Sequence, residues 1–180
     1  MFEVVQQLKT QINNLELRYW YEQDVFSPHW WVVLIISALF VLLLCLLIDR
    51  QRVIFIWLVF FISFLLAGLV DEFGTYFGLW SYPHQFLIFT SRFNTVDFSI
   101  IPVTLTLVYQ FFSKWSFFLI AHIIVSAIIG FIGVPLFVHF NLYQLNQWSY
   151  WNSFLTVLAL GMIVKLISDA IDQYKHHKTY

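Results

Sequence analysis

Five long apolar runs, separated by more polar stretches, dominate the chain. They cover residues 30–48, 53–70, 95–113, 115–140 and 151–171. About 20 apolar residues cross roughly 30 Å of hydrocarbon as a helix, so each run is read as a membrane span. The first, Trp30 to Ile48, contains no charged residue. Asp49-Arg50-Gln51-Arg52 forms a short turn into the second, and the pair is expected to pack as an antiparallel hairpin. The third is marginal, because Phe98 to Phe112 alone gives about 23 Å at the helical rise. Starting it at Asn94 or Thr95 as N-cap lengthens it and puts Asp97 in the first turn, where an acid suits the helix dipole. Pro102 then lies inside the helix, which membrane helices tolerate when neighbours satisfy the freed carbonyl. Gly130, Gly133 and Pro135 predict a kink or an end in the fourth run.

The segment 1–27 has a different pattern. Val4, Leu8, Ile12, Leu15 and Tyr19 recur at spacings of three and four, opposite Gln7, Gln11 and Asn14. That periodicity predicts an amphipathic helix, lying on the bilayer or packed on a partner. Ser27-Pro28 punctuates its end. The expected architecture is all-α: the N-terminal helix, a polytopic domain of about five transmembrane helices over 28–172, and a polar tail, 173–180.

Composition sharpens this picture. The chain of 180 residues is 61% hydrophobic and 11% charged, against roughly 25% charged in soluble domains. Trp30, Trp31, Trp80, Tyr82, Trp115, Trp148 and Trp151 stand at run edges, where rings anchor in the headgroup layer. The net charge of −1 excludes a nucleic-acid partner. The single cysteine, Cys45, excludes an intrachain disulfide and is read as a small buried hydrophobe. The N-terminus lacks the order of a cleaved secretory signal. With five spans, Arg50, Arg52, Lys114, Lys175 and Lys178 gather on one side, against Lys9, Arg18 and Arg92 on the other. The excess of Lys and Arg marks the cytoplasmic face, so the N-terminus is expected outside and the C-terminus in the cytoplasm.

Few ionisable groups lie near the membrane. Asp71 and Glu72 end the second span, and Arg92 and Asp97 precede the third, so a short loop could pair Arg92 with an acid. Such groups read either as a cation, headgroup or proton-handling site, or as interface anchors and a helix cap. His122, Ser126 and Gly130 share a face at four-residue spacing, which allows close helix approach. His122 could relay protons or bond to Thr104, Thr106 or Tyr109. Lys165 and Asp169 stand at helix-pair spacing, with Asp172 and His176 on the same face and Lys165 able to snorkel to the interface. No catalytic motif, cofactor motif or metal-ligand spacing is present.

The stretch Leu79-Trp80-Ser81-Tyr82-Pro83, then Asp97-Phe98-Ser99-Ile100-Ile101-Pro102, then Tyr109-Gln110-Phe111-Phe112, and finally Trp148 with Tyr150–Phe154 resembles an uncharacterised family. Its members are small polytopic membrane proteins of spore-forming Gram-positive bacteria. The resemblance covers about residues 70–160 and implies a bacterial plasma membrane and five helices, without an activity or residue roles. Taken together, the sequence points to a non-enzymatic structural or accessory subunit, packed among lipids on a membrane-protein partner or as a homo-oligomer. The alternatives are a small oligomeric transporter or channel for ions or protons, and a lipid-handling protein; an intramembrane enzyme using Asp71, Glu72 and Asp97 ranks last.

Overall fold

A computed structural model describes residues 1–87 and 99–177. It is all-helical apart from two dipeptide strands. Helix α1 is Phe2–Tyr19, followed by a π-helical turn, Trp20–Asp24; α2 is Pro28–Leu47 and α3 is Val53–Tyr76. After strand β1, Trp80–Ser81, come the short α4, Ile101–Phe111, and the long α5, Trp115–His139. Strand β2 is Gln144–Leu145, and α6 is Tyr150–His177.

Local chemistry sets the boundaries. Ser27 caps α2 by accepting the Trp30 N–H at 3.2 Å, and Pro28 supplies the preset first-turn φ. Asp49 Oδ1 accepts the Gln51 N–H at 2.9 Å, closing the turn into α3. The run 115–140 does not break at its glycines. It bulges into a π turn over Ile129–Gly133 and resumes helix to His139.

Among the described residues four helices, α2, α3, α5 and α6, are long and apolar enough to cross a membrane. Their outward faces carry exposed Leu39, Leu46, Ile54, Phe61, Leu65, Phe117, Ile124, Leu155 and Leu166. Apolar exposure on this scale requires lipid rather than water, and the chain is read as a polytopic membrane protein. Of the third predicted span, the described part is helix α4, 11 residues, preceded by helical backbone at Ser99 and Ile100. Its expected start at Asn94 or Thr95 lies outside the described residues. Eight α4 residues, Ile101 to Val103 and Leu105 to Tyr109, are buried, as expected of a helix that is apolar all round. Pro102 falls in the first turn of α4; the residue four before it, Phe98, lies outside the described residues.

Helix α4 is the post on which the bundle is built. Ile56, Val59 and Ala67 of α3, Ile101, Leu105 and Tyr109 of α4, and Val157, Leu160 and Val164 of α6 form one core. Leu44 of α2 with Val103 and Leu107 of α4 form a second, flanked by Phe40, Trp57 and Phe60. The expected α2–α3 hairpin is therefore modified. Among the described residues both helices pack more closely on α4 than on each other, and Trp57 and Phe60 of α3 pack beside the α2–α4 contact. Cys45 is also corrected: it is exposed on the outer face of α2.

One end of the bundle holds the residue 48–52 and 112–114 turns. The other holds the loops after α3 and α5, joined by the antiparallel ladder Trp80↔Leu145 and Ser81↔Gln144. The first is called the turn end and the second the loop end.

Candidate functional site

The loop end contains a cavity of about 400 Å³. Ile100 and Ile101, at the start of α4, close its inner end. Ile36 and Phe40 of α2, Val70 of α3, Ile129 and Phe137 of α5 and Val157 of α6 supply apolar walls. Ser153 and Thr156 add hydroxyls, and Trp80, Tyr82, Tyr143 and Trp148 roof it. Asp71 sits beneath that roof with 2% of its surface exposed. Its Oδ1 accepts the Trp80 indole N–H at 2.8 Å and the Tyr82 hydroxyl at 2.5 Å. The carboxylate thus ties down the roof. Gly74 makes the tie possible, because a Cβ there would overlap the Trp80 ring. Trp148 stacks edge-on to Trp80 at 5.0 Å, and Tyr143 lies 5.2 Å from Tyr82. A second recess of about 350 Å³, between α3 and α6, shares Val70, Trp80, Trp148, Thr156 and Leu160 with the first.

Beside the roof, the start of α2 is clasped to residues 83–86. Asp24 is 1% exposed. Its Oδ2 accepts the Gln85 N–H at 3.1 Å, and its Oδ1 lies 2.6 Å from His84 Nδ1. A carboxylate only accepts, so that nitrogen carries the proton. His29 stacks on His84 at 4.0 Å. Trp20 and Trp30 donate their indole N–H groups to the Gln85 and Phe86 carbonyls, both at 3.1 Å.

The turn end holds a buried cation. Lys165 is 1% exposed and does not snorkel to water as the sequence suggested. Its Nζ donates to the Ser113 carbonyl at 3.0 Å and pairs with Asp169 at 3.1 Å. The rings of Tyr109, Trp115 and Phe118 lie 4.9–5.2 Å away. The Tyr109 hydroxyl donates to Asp169 at 3.2 Å. Gln110 ties α4 to the first turn, accepting the Asp49 N–H at 3.0 Å and donating to the Leu47 carbonyl at 2.7 Å. Arg52 and Asp172 form a half-exposed pair at 3.6 Å, which contributes little.

His122 lies between these ends and is fully buried. Its Nε2 donates to the Leu158 carbonyl of α6 at 3.1 Å, rather than to the expected α4 side chains. Its ring stacks on Phe118 at 5.3 Å and presses on Gly161, where a Cβ would overlap it. Gly130 likewise admits the Phe154 backbone. His122 Nδ1 and Ser126 Oγ find no hydrogen-bond partner among the described residues.

The structure thus brings Lys165 and Asp169 together at the turn end and places Asp71 under the roof. Glu72 is half-buried one residue on, and its carbonyl accepts the Thr75 hydroxyl at 3.3 Å. Arg92 and Asp97 lie outside the described residues. Trp80 is corrected from an interface anchor to a buried side chain, 6% exposed, whereas Trp31, Trp115 and Trp151 are exposed at helix starts. Sequence reasoning missed the Asp24 clasp and the cavity; the only local hint was a glycine, Gly74, six residues before a tryptophan. Among the described residues no three His, Cys, Asp or Glu are arranged to hold a metal ion. Comparison with protein-family models, with curated proteins and with solved structures finds no match.

Proposed function

We propose that this membrane protein takes the apolar chain of a lipid-like molecule into its loop-end cavity. The observation that carries the proposal is the cavity itself: about 400 Å³, apolar-walled, roofed by aromatic rings tied to a buried carboxylate. Ligand sites commonly occupy roughly 300–1,000 Å³ with a few polar groups on apolar walls. The recess between α3 and α6 supports entry from the bilayer. The basic residues of the turn end, Arg50, Arg52 and Lys114, favour that end in the cytoplasm; the cavity then opens in the outer leaflet of the plasma membrane. Purification in mild detergent with mass spectrometry of extracted lipids tests the reading. One apolar molecule per chain is expected, and its loss in Thr156→Phe with the bundle still folded. An empty wild type, or equal retention in the variant, refutes it.

A second reading is an accessory subunit that docks through α1. It is favoured by the amphipathic stripe on α1, of which no residue is buried against the rest of the chain. The polar groups elsewhere in the bundle support a structural role, since Lys165, Asp169, Asp24 and His122 are all held in contacts within the chain. Deletion of residues 1–25 is expected to release the partner, and unchanged association after deletion overturns this reading.

A further inference from the structure

The apolar stripe of α1 is a heptad seam. Val5, Leu8, Ile12, Leu15 and Tyr19 alternate at spacings of three and four along Phe2–Tyr19. They therefore occupy successive a and d positions: Val5, Ile12 and Tyr19 at a, Leu8 and Leu15 at d. β-Branched residues at a with Leu at d favour two parallel strands. Every seam residue is exposed, from 44% for Val5 to 66% for Leu15, so the described residues leave the seam open.

The alternatives fit less well. A helix that lies on a bilayer has a broad apolar face and a polar face rich in Lys and Arg. The apolar face of α1, with Val4 and Phe2 beside the seam, meets only the first of these conditions. Its polar surface is not rich in Lys and Arg: apart from the exposed apolar Phe2, Val4 and Leu17 it carries the neutral Gln6, Gln7, Thr10, Gln11, Asn13 and Asn14, and its charges cancel, Glu3 and Glu16 against Lys9 and Arg18. In a parallel pair Gln11 at g meets Glu16 at e of the partner helix, and no like charges face each other. The seam is also held in a fixed direction, because Tyr19 donates to the Pro83 carbonyl at 3.4 Å and Trp20 to that of Gln85 at 3.1 Å.

We propose that α1 pairs with α1 of a second copy of this chain as a parallel two-stranded coil. Two heptads are too short to associate as free peptides. Copies confined to one membrane, with α1 clasped to the bundle, meet at high effective concentration. The proposal rests on the second reading above and names its partner.

The test uses the full chain in native-like nanodiscs or membranes, with Cys45→Ser to remove the native thiol. Single cysteines are placed at Val5, Ile12 and Leu15 on the seam and at Thr10 and Asn13 off it, and treated with a short bis-maleimide. These exposed positions leave the bundle untouched. The expected result is covalent dimer at Val5→Cys, Ile12→Cys and Leu15→Cys, at least tenfold above Thr10→Cys and Asn13→Cys. Leu8→Asp combined with Leu15→Asp is expected to abolish dimer at Ile12→Cys. Equal yields on all faces, or no dimer on the seam, overturns the proposal. Without seam cross-links, release of a different protein on deleting 1–25 leaves the accessory reading standing and this one refuted; no effect of deletion refutes both.

Discussion

His122 and Gly161 share one volume, and a double-mutant cycle should reveal it. The His122 ring is fully buried, bonded to Leu158 at 3.1 Å and pressed where a Gly161 Cβ would lie. Gly161→Ala forces that ring or the α5–α6 spacing to shift, an overpacking cost of about 1–3 kcal/mol. His122→Ala removes a buried ring and a hydrogen bond, which should cost about 2–4 kcal/mol. In the double variant the new methyl occupies space the imidazole vacated. The two losses then sum to more than the double variant shows, by about 1 kcal/mol or more. The assay is reversible unfolding of all four proteins in one detergent, followed by helix signal. Additivity within about 0.5 kcal/mol would mean that the two side chains do not compete, and the close α5–α6 approach argued from them would be wrong.

Other outcomes follow from the same contacts. Lys165→Met should destabilise by about 2–4 kcal/mol, because Asp169 loses its cation; Lys165→Met with Asp169→Leu should recover at least half, measured by the same unfolding. Gly74→Val should expel Trp80 from beneath the roof, red-shifting tryptophan emission and losing any lipid retained in the cavity. Asp71→Ala should loosen the roof more than Asp71→Asn, which still offers an acceptor oxygen to Trp80, as read by amide exchange across residues 79–82. Asp24→Ala should free α1 from the loop end, seen as faster limited proteolysis near residues 19–27 with the bundle protected.

The four long apolar helices were legible because twenty apolar residues in a row have one stable environment. The burial of α4 was not, since an apolar run of fifteen residues fits a lipid-facing or an enclosed helix equally well. That enclosure depends on α2, α3 and α6 closing around Ile101–Phe111. Periodicity placed His122, Ser126 and Gly130 on one face, but not the identity of the facing helix; Leu158 and Gly161 lie 36 and 39 residues away. Lys165 was expected to reach water because lysines do so near a membrane edge. The Ser113 carbonyl, exposed by the break between α4 and α5, gave it a nearer partner. Asp71 was visible as a charge at a helix end, while its two donors arrive only when the loop folds back and β1 meets β2.

The placement of the cavity also makes the molecule mechanically lopsided. Around the turn end the side chains of α4 are buried in the core; at the loop end, among the described residues, void volume remains. Squeezing removes volume only where there is some to remove, so a rise in pressure should narrow the loop end and leave the turn end unchanged. The bundle would then taper across the bilayer, and a molecule seated in the cavity would resist that taper like a strut.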